Sequence, residues 1–97
     1  RKPINVERIQ ALVADYYNVT LDDMKGKRRD KHIVFPRQVA MYLCKHLTKH
    51  SYPEIGRAFG GKHHTTVIHS VEKIEALVVT DETLQRLISE LSESLQK

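Results

Sequence analysis

With 97 residues, 40% of them hydrophobic and 29% charged, the chain has the composition of one small folded domain and is too short for a second core. The formal charge is +4, and the single cysteine, Cys44, excludes an internal disulfide. No apolar run is long enough to cross a bilayer, and Arg1-Lys2-Pro3-Ile4 lacks the apolar stretch of a secretory leader, so a cytoplasmic protein without membrane contact is expected.

Asn5 is placed to cap a first helix, in which Val6, Ile9, Ala11, Leu12, Val13 and Tyr16 recur at helical spacing until Asn18. Thr20 with Leu21-Asp22-Asp23 predicts a short connector helix that Gly26 ends. From Lys25 to Lys31 the chain has no apolar residue and five cations against one acid, which predicts a solvated loop. Pro36 stands where the first residue of a helix belongs, followed by the stripe Val39, Ala40, Leu43 and Leu47. The short run Ile33-Val34-Phe35 just before it is the one strand-like signal.

Ser51-Tyr52-Pro53-Glu54 reads as a capping box, opening a helix with Ile55, Ala58 and Phe59 inward. Gly60-Gly61 permits a sharp reversal, and from His63 or His64 a longer helix follows, with Val67, Ile68, Val71, Ile74 and Val78 on one face. It is expected to end near residues 77 to 79. Asp81 caps a final amphipathic helix carrying Leu84, Leu87, Ile88, Leu91 and Leu95. The expected fold is therefore all-α, a single domain over residues 1 to 97 with no internal repeat.

Short helix, Gly-containing turn and longer helix, over about residues 51 to 78, have the layout of a helix-turn-helix. At ~100° per residue, Lys62, Thr65, Thr66, His69 and Lys73 fall opposite Val67, Val71 and Ile74. A solvated helix face ordinarily carries Glu and Lys, whereas no acid occurs between Lys62 and Val71. Thr and His can read base edges and Lys can pair with phosphate, so this face is the candidate for the major groove of DNA. His64 lies nearer the apolar side, which leaves a core role and a DNA role both open.

Through residue 80 there are 14 Lys and Arg against 8 Asp and Glu, while residues 81 to 97 hold 2 against 4. The positive field that attracts a polyanion therefore sits away from the C-terminal end. Beside a groove-reading helix, the basic loop offers Arg28 or Arg29 to the narrow minor groove of A·T-rich DNA. Arg37, Gln38 and Lys45 could add phosphate contacts.

The run Gly60-Gly61-Lys62-His63-His64-Thr65-Thr66-Val67-Ile68-His69, followed by Val71-Glu72-Lys73-Ile74, resembles the signature of the C-terminal DNA-binding domain of the bacterial DnaA replication initiators. Lys27-Arg28-Arg29, Phe35-Pro36-Arg37-Gln38-Val39-Ala40-Met41 and Ser51-Tyr52-Pro53-Glu54-Ile55-Gly56 resemble it too, so the likeness covers about residues 3 to 80. It implies a compact Trp-repressor-like helix-turn-helix domain that binds A·T-rich DnaA boxes in duplex DNA at the replication origin. It also implies an AAA+ module upstream, absent from this chain, to which ATP, magnesium and most self-assembly belong, and a bacterial, nucleoid-associated setting. No cofactor is expected within these residues.

By that resemblance Arg29 enters the minor groove, His64 and Thr65 contact bases, and Lys62, Thr66 and His69 hold the recognition helix on the DNA. Lys27, Arg37, Gln38, Lys45, Tyr52, Pro53 and Lys73 fall at positions that lie along the phosphates. The chain departs from many members at His63, where they carry Asp. An Asp accepts a hydrogen bond from a cytosine amino group, whereas a neutral His does so only in the right tautomer. The preference at that base pair is left open by the sequence.

Rival chemistries are poorly supplied. His46 and His50 stand at i, i+4 near Cys44, yet neither a four-ligand zinc set nor the Glu of a zincin helix accompanies them. Ser51 and Ser70 have cap or surface roles available, and no nucleophile-elbow or Walker motif occurs, so no catalytic residue is expected. Four Tyr, two Phe and no Trp make a weak stacking platform for RNA. A protein-interaction role, with the basic face or the last helix as the docking surface, is compatible with DNA binding.

Overall fold

The computed structural model describes residues 3 to 97; Arg1 and Lys2, part of the N-terminal stretch read above, lie outside the described residues. Among those described, local caps start most of the helices. Asn5 Oδ1 accepts from the Arg8 amide at 2.8 Å to open α1 (Val6–Tyr17), which ends at Asn18 in the left-handed region with φ 57°. Thr20 and Asp23 form a reciprocal capping box for α2 (Leu21–Lys25). Ser51 and Glu54 do the same for α4 (Tyr52–Ala58). The ring of His63 caps α5 (His64–Thr80), and Asp81 caps α6 (Glu82–Gln96) by accepting from the Leu84 amide at 2.9 Å. Each device satisfies amide groups that a helix start leaves without a partner.

The remaining helix, α3 (Lys31–Leu47), corrects the sequence reading. It begins five residues earlier than expected, takes in Ile33-Val34-Phe35, and carries Pro36 inside rather than at its first position. Proline there forfeits one hydrogen bond, to the His32 carbonyl, and strains the preceding turn. That cost is met by burial: Ile33 is 1% exposed, Pro36 is buried and Phe35 packs on the core. An apolar side chain taken fully from water contributes ~1.5–3 kcal/mol, enough to outweigh local propensity. Among the described residues there is no strand.

The core is built around α3 and α5, which make the most extensive contact of any helix pair. Val39, Met41 and Leu43 of α3 and Val67, Val71 and Ile74 of α5 belong to one buried cluster, with Ile9 and Val13 of α1 and Ile55 of α4. Phe59, at the end of α4, is wholly buried. The last helix closes this core with Leu84, Leu91 and Leu95. Three assignments in α1 shift, one of them Ala11, which is exposed although its spacing put it in the apolar stripe. Tyr16, counted in the apolar stripe of α1, is 56% exposed, and Gln10 takes an interior place, its Nε2 donating to the Ala58 carbonyl at 3.0 Å. No helix of the described residues is long and apolar enough to cross a membrane.

Candidate nucleic-acid interface

The turn between α4 and α5 converges on one main acceptor, with the Gly60 amide donating besides to the Arg57 carbonyl at 3.3 Å. The Gly56 carbonyl takes hydrogen bonds from the amides of Phe59 (3.2 Å), Gly61 (3.0 Å) and Lys62 (2.9 Å). Such convergence demands close backbone approach: a Cβ on Gly56 would lie 2.2 Å from the Lys62 carbonyl oxygen. Gly60 and Gly61 follow with φ 87° and 81°, the left-handed region that L side chains rarely adopt. The chain thus reverses within five residues, and α5 leaves the turn with its first residues free of the core.

That start of α5 is the exposed face expected from the sequence. His63, His64, Thr65, Thr66, His69 and Lys73 are all exposed, and Val67, Val71 and Ile74 face the core. The open question over His64 closes on the solvent side: its ring stacks on that of His63 with centroids 4.4 Å apart. His63 Nδ1 accepts from the Thr65 amide at 3.2 Å and lies 2.8 Å from Thr65 Oγ1. An amide can only donate, so Nδ1 holds a lone pair and the neutral ring carries its proton on Nε2. His63 is therefore a helix cap whose outward nitrogen is a donor. Ser70, for which the sequence offers a cap or surface role, is buried. It stands one turn after Thr66, at a helical spacing that could have placed both on one wall.

The basic loop, residues 26 to 30, stands across a cleft of about 630 Å³ from this face. Lys27 and Arg29 line the cleft from the loop, Gln38 from α3, and Lys62, His63, Thr66 and Ser70 from the turn and α5. Arg28 pairs with Asp30, while Lys27 and Arg29 are exposed. Gln38 Oε1 is buried and has no hydrogen-bond partner. Lys45 Nζ sits 4.4 Å above the Tyr52 ring, a cation–π contact at the start of α4 next to exposed Pro53.

Two of the expected DNA ligands line this cleft but direct their donors at backbone carbonyls. Arg37 is 6% exposed; its Nε and Nη2 donate to the Asp23 carbonyl at 3.2 and 2.6 Å, and Nη1 to the Arg28 carbonyl at 3.1 Å. Lys62 Nζ donates to the carbonyls of Gly26 at 2.6 Å and Phe59 at 2.7 Å. Desolvation, with the nearby charges of Arg37 and Lys27, pushes the Lys62 ammonium down to about 8. Sequence reading assigned both cations outward because it sees charge but not the acceptors that fold against it.

The two histidines considered for metal face carboxylates, and Cys44 is buried. His46 Nε2 pairs with Glu75 Oε2 at 2.9 Å, and His50 faces Glu54. Among the described residues no three potential ligands gather.

With this geometry, the chain matches the family model of the bacterial DnaA protein helix-turn-helix over residues 6 to 74. A solved structure of a DNA replication initiation factor superposes with a TM-score of 0.83 at 34% identity, covering 93% of this chain and 27% of that one. The chain thus spans about a quarter of the length of that protein.

Proposed function

The chain belongs to the bacterial DnaA helix-turn-helix family, and on that premise we propose that it binds duplex DNA in replication initiation, recognising an A·T-rich DnaA box. The module is a binder and not a catalyst. The observation that carries the reading is the acid-free, exposed first two turns of α5, from His63 to His69, set across a cleft from Arg29 and Lys27. In this reading α5 enters the major groove with its N-terminal residues against base edges, where Thr65 and His64 meet the bases and Thr66 and His69 hold the helix in place. Arg29 reaches the adjacent minor groove, which is narrow and strongly negative in A·T-rich sequence. Lys27, Gln38, Lys45, Tyr52, Pro53 and Lys73 lie along the phosphates, and the half-positive N-terminus of α5 favours a phosphate nearby.

By the same reading ATP binding, self-assembly and duplex opening are tasks of the rest of a longer protein, in the bacterial cytoplasm. The basic surface is directed at nucleic acid and not at a membrane.

Fluorescence anisotropy tests the proposal with a DnaA-box duplex and a scrambled duplex at two salt concentrations. The native chain should prefer the box. Thr65→Ala and Arg29→Ala should each cut that preference by about fivefold or more, on the scale of ~1–3 kcal/mol for a base contact. Equal affinity of the native chain for both duplexes would refute box recognition.

A further inference from the structure

A short loop rich in Lys and Arg would ordinarily be a mobile tether, its charges searching for phosphate. Here its backbone is gripped from two sides. Arg37, from α3, holds the carbonyls of Asp23 and Arg28 with three donors. Lys62, from the turn before α5, reaches 36 residues back in sequence to the Gly26 carbonyl and braces itself on the Phe59 carbonyl. A third contact needs no side chain: a Cβ on Gly60 would lie 1.9 Å from the Lys25 carbonyl oxygen, so the turn of the helix-turn-helix sits directly on the end of α2. Lys27 and Arg29 stay exposed above this anchored backbone.

We propose that Lys62 and Arg37 are positioning residues rather than phosphate ligands, fixing the basic loop in register with α5 so that both approach DNA as one rigid reader. The inference rests on the reading that this surface binds duplex DNA. A loop ordered during folding loses little further freedom on binding, so affinity for a correctly spaced site rises without any added contact. A phosphate ligand acts differently: it strengthens binding to every duplex and adds about 0.9 to the slope of log K against log salt.

The two roles separate in a salt series with box and scrambled duplexes, using the native chain, Lys62→Met, Arg29→Ala and the double variant. With Lys62 as a positioning residue, Lys62→Met weakens the box about tenfold, leaves the scrambled duplex within about twofold, and changes the salt slope by less than about 0.5. Its cost falls below about twofold once Arg29 is already Ala, because the two act through one loop. Lys62→Arg, able to span both carbonyls, restores most of the box affinity. Without DNA, backbone order parameters for residues 26 to 30 drop from near ~0.85 towards ~0.6 in Lys62→Met.

A slope reduced by about 0.9, equal losses on both duplexes and additive effects with Arg29→Ala would overturn the proposal. Should Lys62→Met fail to fold, Arg37→Lys keeps the charge but not the fork; if it leaves box affinity and loop order unchanged, the proposal is equally overturned. A native chain that binds neither duplex would instead remove the DNA-binding reading, and this inference with it.

Discussion

Replacing His63 by Asp tests the geometry at the head of the recognition helix. In the native chain the cap is a ring nitrogen accepting from the Thr65 amide at 3.2 Å, a long contact for a residue type outside the preferred N-caps. Asp is among the best caps, worth ~1 kcal/mol over a poor one, and its charge against the helix dipole adds ~0.5 kcal/mol. Against this stands the lost stacking on His64, ~0.5 kcal/mol. The net expectation is a chain more stable by ~1 kcal/mol, or a Tm higher by about 4–8 °C for a domain of this size. Function should move the other way. The ring offers DNA a donor at Nε2, whereas a carboxylate offers only acceptors and repels phosphate.

His63→Asp should therefore weaken binding to the scrambled duplex and, in a panel of boxes altered one base pair at a time, shift one position towards a cytosine amino group in the major groove. Circular-dichroism melts and anisotropy on that panel suffice. An unchanged or lower Tm would refute the capping argument, and an unchanged base profile would show that His63 does not face the bases.

The two turn glycines should behave unequally in urea unfolding. Gly60→Ala, with φ 87° and its Cβ driven to 1.9 Å from the Lys25 carbonyl, should cost more than ~3 kcal/mol or prevent folding, whereas Gly61→Ala, at φ 81° but in open space, should cost only ~1–2 kcal/mol. Cys44 is fully buried and its thiol is pushed up to about 12, so a disulfide reagent at pH 8 should label it only after denaturant is added. Stability should rise between pH 8 and about 10, because folded Lys62, at about 8, has released a proton that the unfolded chain holds until near 10.5. Above pH 10 the trend should reverse. Tyr17 is pushed up to about 12 and keeps its proton when folded, while the unfolded chain loses it from about 10. Thermal melts of the native chain and Lys62→Met across this range should differ in the first limb only. On the acid side, Glu54 is held below the ordinary carboxyl value of 4.5 by the Ser51 amide, so its contribution is present above that pH and fades below it. Glu54→Gln, which removes the titrating carboxyl that accepts from the Ser51 amide, should flatten that acid limb in the same melts.

Much of this protein is legible residue by residue. The caps at Asn5, Thr20, Ser51 and Asp81 and the reversal at Gly60-Gly61 follow from the sequence because each depends on partners within a few positions or on a backbone angle only glycine takes freely. The exposed Thr and His face of α5 follows from helical period alone. Tertiary structure decided the rest. Pro36 lies inside α3 because burial of Ile33 and Phe35 outweighs what proline costs a helix, a balance with no local signature. Gln10 and Ser70 are interior, and Arg37 and Lys62 turn towards carbonyls 14 and 36 residues away, because those acceptors exist only after α2, α3 and the turn have packed together. Sequence supplied the charge of the basic surface; only the fold determined which cations face outward and which hold the loop, since the direction of a long side chain is set by distant partners.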